Sequence, residues 1–209
     1  MALPYVSRLL DTIEQMGLLV RERRLVVEVD WVELLGARST TYRLNKAAPS
    51  HRFATKSGTD EVLRRLAGDV PGLGRLAITG SYAARRVAPL TIGGQLMFYA
   101  SVTDLLQLCK SLNVLPASER GPADLLVYPE PNPASATWAG VTLDAGLPYV
   151  ALSQTALDCI GGSGRMPSEG AAVLEYMKNN ELTWRVPSLS AWNARTVSVE
   201  SSSRSSMEA

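Results

Sequence analysis

Histidine and cysteine are scarce in this chain of 209 residues, which has one histidine, His51, and two cysteines, Cys109 and Cys159. One imidazole is too few for a histidine-built zinc site, and two thiols 50 positions apart do not replace it. Both thiols lie in apolar stretches, which fits reduced core residues rather than a disulfide framework. A Ser-His-Asp or Cys-His arrangement would have only His51 to draw on, in a polar segment without periodicity. Most hydrolase and metalloenzyme classes are therefore disfavoured, and no catalytic residue, metal or other cofactor is expected. Long apolar runs are lacking too: none approaches the roughly 18–20 residues that cross a bilayer. The opening Met1-Ala2-Leu3-Pro4-Tyr5 has no signal-peptide layout, so a cytoplasmic location is expected. Net charge is also small, at +1.

What is present is a globular composition, 46% hydrophobic and 20% charged, long enough for one medium domain or two small ones. The charge is unevenly placed. Between Leu34 and Thr59 stand Arg38, Arg43, Lys46, Arg52 and Lys56 with no acid, and the basic knot Arg21-Glu22-Arg23-Arg24 lies upstream. Such clusters are either solvated surface or anion contacts.

Along the chain, Val6, Leu9, Leu10, Ile13 and Met16 recur at helical spacing, with Pro4 at the entry and Gly17 at the exit. Two β-rich runs, 18–21 and 25–29, flank the charged turn Glu22-Arg23-Arg24. Asp30-Trp31-Val32-Glu33 has the spacing of a capping box and opens a short helix through Leu35. Residues 45–58 read as a linker or arm. Strands are then expected at 76–79, 96–100, 125–128 and 149–152, and helices near 60–67 and at 81–88, 103–112, 153–160 and 168–179. Thr103 and Ser153 suit N-caps, and Pro167 suits the start of the last helix. The expected fold is mixed α+β (α/β). A partial winged helix-turn-helix (1–44) and the linker precede a compact α/β domain (59–190), and a serine-rich tail (191–209) reads as disordered.

Three motifs bear on chemistry. A short amphipathic helix followed by a basic hairpin resembles the recognition helix and wing of a winged helix-turn-helix. There the polar helix face reads the major groove while wing arginines reach phosphates or the minor groove. The groove-facing candidates are Tyr5, Ser7, Arg8, Thr12 and Gln15, and the wing cations are Arg21, Arg23 and Arg24, with Arg38, Arg43, Lys46, Arg52 and Lys56 as further phosphate contacts. Asp11 and Glu14 share the outer helix face and oppose phosphate, unless Asp11 pairs with Arg8. A winged helix places two helices before the recognition helix, so a front truncation is expected: either the true start lies upstream or the module is a remnant. The second motif, Thr79-Gly80-Ser81-Tyr82, is similar to the Gly-Ser turn of nucleotidyltransferases. Residues 87–102 hold no acid to bind magnesium, so a tight strand–helix turn with Ser81 as cap is the better reading. The third, Gly161-Gly162-Ser163-Gly164-Arg165, is an anion cradle assisted by Arg165 or a helix–helix connection, and the Glu169 that follows favours the connection. The tryptophans Trp31, Trp138, Trp184 and Trp192 are scattered, as packing residues are.

Several blocks in fixed order carry a resemblance. They are Val6-Ser7-Arg8-Leu9-Leu10, Val29-Asp30-Trp31-Val32-Glu33-Leu34-Leu35, Ile78-Thr79-Gly80-Ser81-Tyr82-Ala83-Ala84-Arg85-Arg86 with Ala88-Pro89, Ser153-Gln154-Thr155-Ala156-Leu157-Asp158, Gly164-Arg165-Met166-Pro167-Ser168-Glu169, and Trp184-Arg185. Together they resemble actinobacterial winged helix-turn-helix regulators related to AbiEi-type antitoxins of type IV toxin–antitoxin systems, over nearly all of residues 4–187. The resemblance implies a double-stranded DNA partner, regulation of the protein's own operon and neutralisation of a nucleotidyltransferase-like toxin. A homodimer would match a two-fold operator. The rival readings are a protein-interaction module without autonomous DNA binding and, third, a degenerate nucleotidyltransferase-like protein.

Overall fold

The computed structural model describes residues 3–44, 50–90, 93–119, 121–129 and 137–185. These form a mixed α+β fold in two compact units, Met1–Tyr42 and Arg43–Ala209. The unit boundary thus falls after residue 42. The expected tail at 191–209 and Lys46 lie outside the described residues.

The first unit is helix, hairpin, helix: α1 (Leu3–Gln15), β1 (Leu19–Glu22), β2 (Leu25–Val29) and α2 (Trp31–Thr41). Helix α1 ends in a Schellman arrangement. Gly17, with φ of 73°, takes the left-handed position, its N–H donates to Glu14 O at 2.8 Å, and the Leu18 N–H donates to Ile13 O at 3.1 Å. The antiparallel pair β1–β2 turns on Arg23 and Arg24, both at positive φ (48° and 71°), the backbone that a type I′ hairpin turn demands. Asp30 caps α2 as its spacing predicts, accepting from the Glu33 N–H at 3.0 Å. That helix runs to Thr41, well past the expected Leu35. Among the described residues of this unit, Leu19 alone is a buried hydrophobic residue.

The second unit is built on a seven-stranded mixed sheet in the order β6-β3-β7-β5-β4-β9-β8. Its strands are β3 (His51–Thr55), β4 (Leu73–Thr79), β5 (Leu96–Val102), β6 (Val114–Pro116), β7 (Leu125–Pro129), β8 (Thr142–Asp144) and β9 (Leu147–Tyr149). Its helices are α3 (Thr59–Leu66), α4 (Gly80–Ala84), α5 (Leu105–Leu112), α6 (Leu152–Ile160), α7 (Met166–Asn179) and α8 (Glu181–Trp184). Register decides the two faces. Phe53, Leu125, Leu96, Phe98, Val127 and Ile78 fall on one side, in a core cluster with Val62 and Leu66 of α3 and Leu108 and Leu112 of α5. Arg52, Leu126, Met97, Tyr128, Tyr99 and Thr79 fall on the other, toward α6 and α7. A sheet covered on both faces explains why 96–100 and 125–128 read as unbroken apolar runs.

Several local expectations need correction. The segment 45–58 is not simply a linker, because its residues 51–55 form β3, paired to both β6 and β7. The helix expected at 81–88 is the five-residue α4, and the strand expected at 149–152 ends at Tyr149, with α6 starting at Leu152. The caps also shift by one or two residues. Asp104, not Thr103, caps α5 by accepting from the Gln107 N–H at 3.0 Å, and Ala151 precedes α6 where Ser153 was expected. Element ends are where local sequence pattern is least decisive, and at α5 two capping residue types stand side by side. Pro167 does stand in the first turn of α7. Helices α6 and α7 approach closely at Gly170, where a Cβ would lie 2.7 Å from Ile160 Cγ1 and 2.8 Å from its N. The two cysteines are free thiols, Cys159 buried and Cys109 half-buried against the core.

Candidate nucleic-acid interface

The amphipathic spacing of α1 leaves one face open. Tyr5, Ser7, Arg8, Thr12 and Gln15 are all exposed, while Val6, Leu10 and Ile13 are partly covered. Arg8 Nε donates to Pro4 O at 3.2 Å, and the Thr12 hydroxyl donates to Arg8 O at 2.9 Å. Arg8 therefore keeps its full charge outward, with no carboxylate in ion-pair contact among the described residues. It does not pair with Asp11 as the i,i+3 spacing allowed.

Asp11 and Glu14 pair with Arg21 instead. Arg21 Nη2 lies 2.7 Å from Asp11 Oδ1, its Nε donates to Glu14 Oε2 at 2.9 Å, and Nη2 also contacts Glu14 Oε2. The guanidinium holds the Glu14 carboxyl below its usual range, chiefly by hydrogen bonding, and is itself raised by the two acids. This corrects the reading of Arg21 as a wing cation. It is half-buried between hairpin and helix, a tie that neutralises the two acids that opposed phosphate. Arg23 and Arg24 remain at the hairpin tip, exposed and unpaired by any carboxylate among the described residues. Residues 1–42 carry five arginines against six acids, so any attraction for phosphate comes from placement and not from net charge.

The further basic candidates divide between the units. Arg38 is exposed on α2, with its guanidinium 5.2 Å from the centre of the Tyr42 ring. Arg43 and Lys56 are exposed in the second unit, on segments flanking β3. Arg52 is a different case: it sits half-buried in β3, donates from Nη2 to Gly121 O at 2.8 Å, and lines a cavity. It is not a surface phosphate contact.

The two glycine turns belong to a polar network inside the second unit. Ser81 is not a helix cap: its hydroxyl donates to Glu169, whose other oxygen is 3.0 Å from Arg165 Nε. Arg165 also donates to Gly93 O, so its charge is spent internally. Beside this, Thr79 and Tyr99 donate to buried Asp158, the latter at 3.0 Å, and Gln154 Nε2 donates to the same carboxylate at 2.8 Å. Burial, and then the Asp158 charge, push the neighbouring Tyr128 hydroxyl up to about 12. The turn 161–165 joins α6 to α7, the connection reading. Glycine suits position 162 because a Cβ there would lie 2.9 Å from Met166 Cβ, besides crowding its thioether. Among the tryptophans, Trp138 is buried under Arg75 at 5.2 Å and Trp184 Nε1 donates to Met177 O at 2.9 Å, while Trp192 lies outside the described residues. Sequence reasoning missed Asp158 as a network centre. Its signal was an acid inside the apolar run Ala156-Leu157-Asp158-Cys159-Ile160.

Compared with protein-family models, with curated proteins and with solved structures, the chain matches none. Among the described residues no helix is long and apolar enough to cross a membrane.

Proposed function

We propose that the chain is a DNA-binding transcriptional regulator of antitoxin-like build, acting on its own operon and neutralising a nucleotidyltransferase-like toxin. The observation that carries the DNA reading is the trio Arg8, Arg23 and Arg24, the first on the polar face of α1 and the others at the hairpin tip, all exposed and without carboxylate partners among the described residues. The ordered blocks that resemble AbiEi-type antitoxins support the regulatory role and the toxin partner. Two phosphate contacts, Arg23 and Arg24, release few counterions, so log affinity for duplex DNA should fall with log salt at a slope of about −2. Fluorescence anisotropy on a duplex from upstream of the gene measures this, and a flat salt response sinks the reading. Replacing Arg8 should alter sequence preference instead of weakening all sequences alike.

A second reading, a protein-interaction module, is favoured by one observation: Leu25, Val26 and Val27 of β2 are exposed in succession. Leu25→Ser with Val27→Ser separates the two. Loss of a complex with the neighbouring toxin-like protein, in a chain that binds no duplex DNA before or after the change, favours the second reading.

A further inference from the structure

The second unit holds a cavity of about 320 Å3, within the range of small-molecule sites. Its polar lining is Arg52 of β3, Ser50, Gln95 and Ser163, and its apolar lining includes Met97 of β5 and Met166 of α7. Register places Arg52 beside Leu126, and Leu126 beside Met97, on the α6–α7 face of the sheet. The first amides of α7 are not available to a ligand. The Met166 N–H is bonded to Ser163 O, Pro167 has none, and the Ser168 and Glu169 N–H groups go to Arg165 O. Arg165 is itself committed to Glu169 and Gly93. Among the described residues, the one cation lining the cavity is therefore Arg52.

Arg52 is incompletely satisfied. Nη2 has the Gly121 carbonyl, but Nε is buried without a hydrogen-bond partner, and the guanidinium makes no ion pair among the described residues. A buried donor left unmade costs about 1–3 kcal/mol, and a guanidinium drawn partly out of water gains from an opposite charge. An acceptor seated in the cavity supplies the counter-charge that the guanidinium lacks. Among the described residues no acid lines the cavity, so none there repels an anion. One positive charge, neutral hydroxyl and amide donors and a thioether floor match a monoanion with an apolar body better than a phosphate dianion. We infer that this cavity binds a small organic carboxylate, its carboxyl on Arg52 and its apolar body against Met97 and Met166. Every residue of the site belongs to the second unit, so it stands or falls separately from DNA binding.

The test uses the full chain labelled with 13C at its methionine methyls, titrated with sodium benzoate at constant ionic strength. Benzamide, the neutral analogue of the same shape, and inorganic phosphate are the two comparison probes. Benzoate should move the Met97 and Met166 signals while Met177, fully buried in α7, stays in place as an internal check of folding. Arg52→Gln should weaken benzoate at least about tenfold, and Arg52→Lys should weaken it less. Equal shifts from benzamide, an unchanged affinity in Arg52→Gln with Met177 unmoved, or shifts confined to other methionines would each overturn the site. Tighter binding of phosphate than of benzoate overturns the carboxylate assignment.

Discussion

Two apolar-rich segments of five residues, Leu96-Met97-Phe98-Tyr99-Ala100 and Leu25-Val26-Val27-Glu28-Val29, both form strands and then diverge. In the second unit Leu96 and Phe98 are 0% exposed, because β5 is flanked by β7 and β4 and covered on both faces. In the first unit Leu25 is 71% and Val27 54% exposed, because β2 pairs with β1 alone. Strand formation needs only extended, β-branched or aromatic side chains and one partner, whereas burial needs neighbours in two further directions. The second unit buries the apolar residues of its central strands in its own core, although leucines such as Leu106 and Leu182 stay exposed. The first leaves much of its surface, cationic and apolar alike, turned outward, as a binding element does.

The largest effect that tests this contrast is at Phe98. Phe98→Ala should destabilise the second unit by about 3–5 kcal/mol, read from the urea midpoint, whereas Val27→Ala should change stability by less than about 0.5 kcal/mol. Similar losses from both would erase the distinction between the units. Next is Asp158→Ala, which strands the hydroxyls of Thr79 and Tyr99 and the Gln154 amide inside the fold. A loss of about 3 kcal/mol is expected, against about 1 kcal/mol for Tyr99→Phe.

The hairpin tip sharpens the comparison in the opposite sense. Arg23 and Arg24 hold a left-handed backbone that Asn and Gly adopt far more readily, at about 1 kcal/mol less strain per residue. Arg23→Asn with Arg24→Gly should therefore stabilise the hairpin by about 1–2 kcal/mol, seen as slower amide exchange in β1 and β2, while the DNA salt slope drops by about 2. Tighter DNA binding by this variant would show that the arginines serve only the turn. The smallest effect is pH-dependent. The Glu14 carboxyl is held below its ordinary 4.5 by Arg21, so the tie between α1 and the hairpin is present above that value. It is lost as pH falls through the lowered value. Amide exchange in α1 should quicken on that acid limb, and Glu14→Gln should weaken the dependence while the Arg21–Asp11 contact remains.

The elements of α1, the hairpin, β5, β7 and α7 were legible in the sequence, each from a local cause. Apolar spacing marked the helices, Asp30 marked the start of α2, and continuous apolar runs marked the central strands. β3, β6 and β8 were not legible. His51-Arg52-Phe53-Ala54-Thr55 lacks alternation between polar and apolar faces, and β6 and β8 are three residues long, too short for a period to show. The candidate interface was legible as to residues but not as to charge. Nothing in the spacing told that Arg21 would turn inward to Asp11 and Glu14, ten and seven positions away, while Arg8 stayed out.

By itself, then, the amino-acid order determined the helices, most strands, the left-handed exit at Gly17 and the scarcity of imidazoles and thiols, all properties of neighbours along the chain. Only the tertiary structure decided which arginines are spent on internal acids, that Arg52 borders a cavity and that Ser81, Arg165 and Glu169 meet. Those outcomes depend on residues up to 88 positions apart, and long-range pairing leaves no period in a sequence.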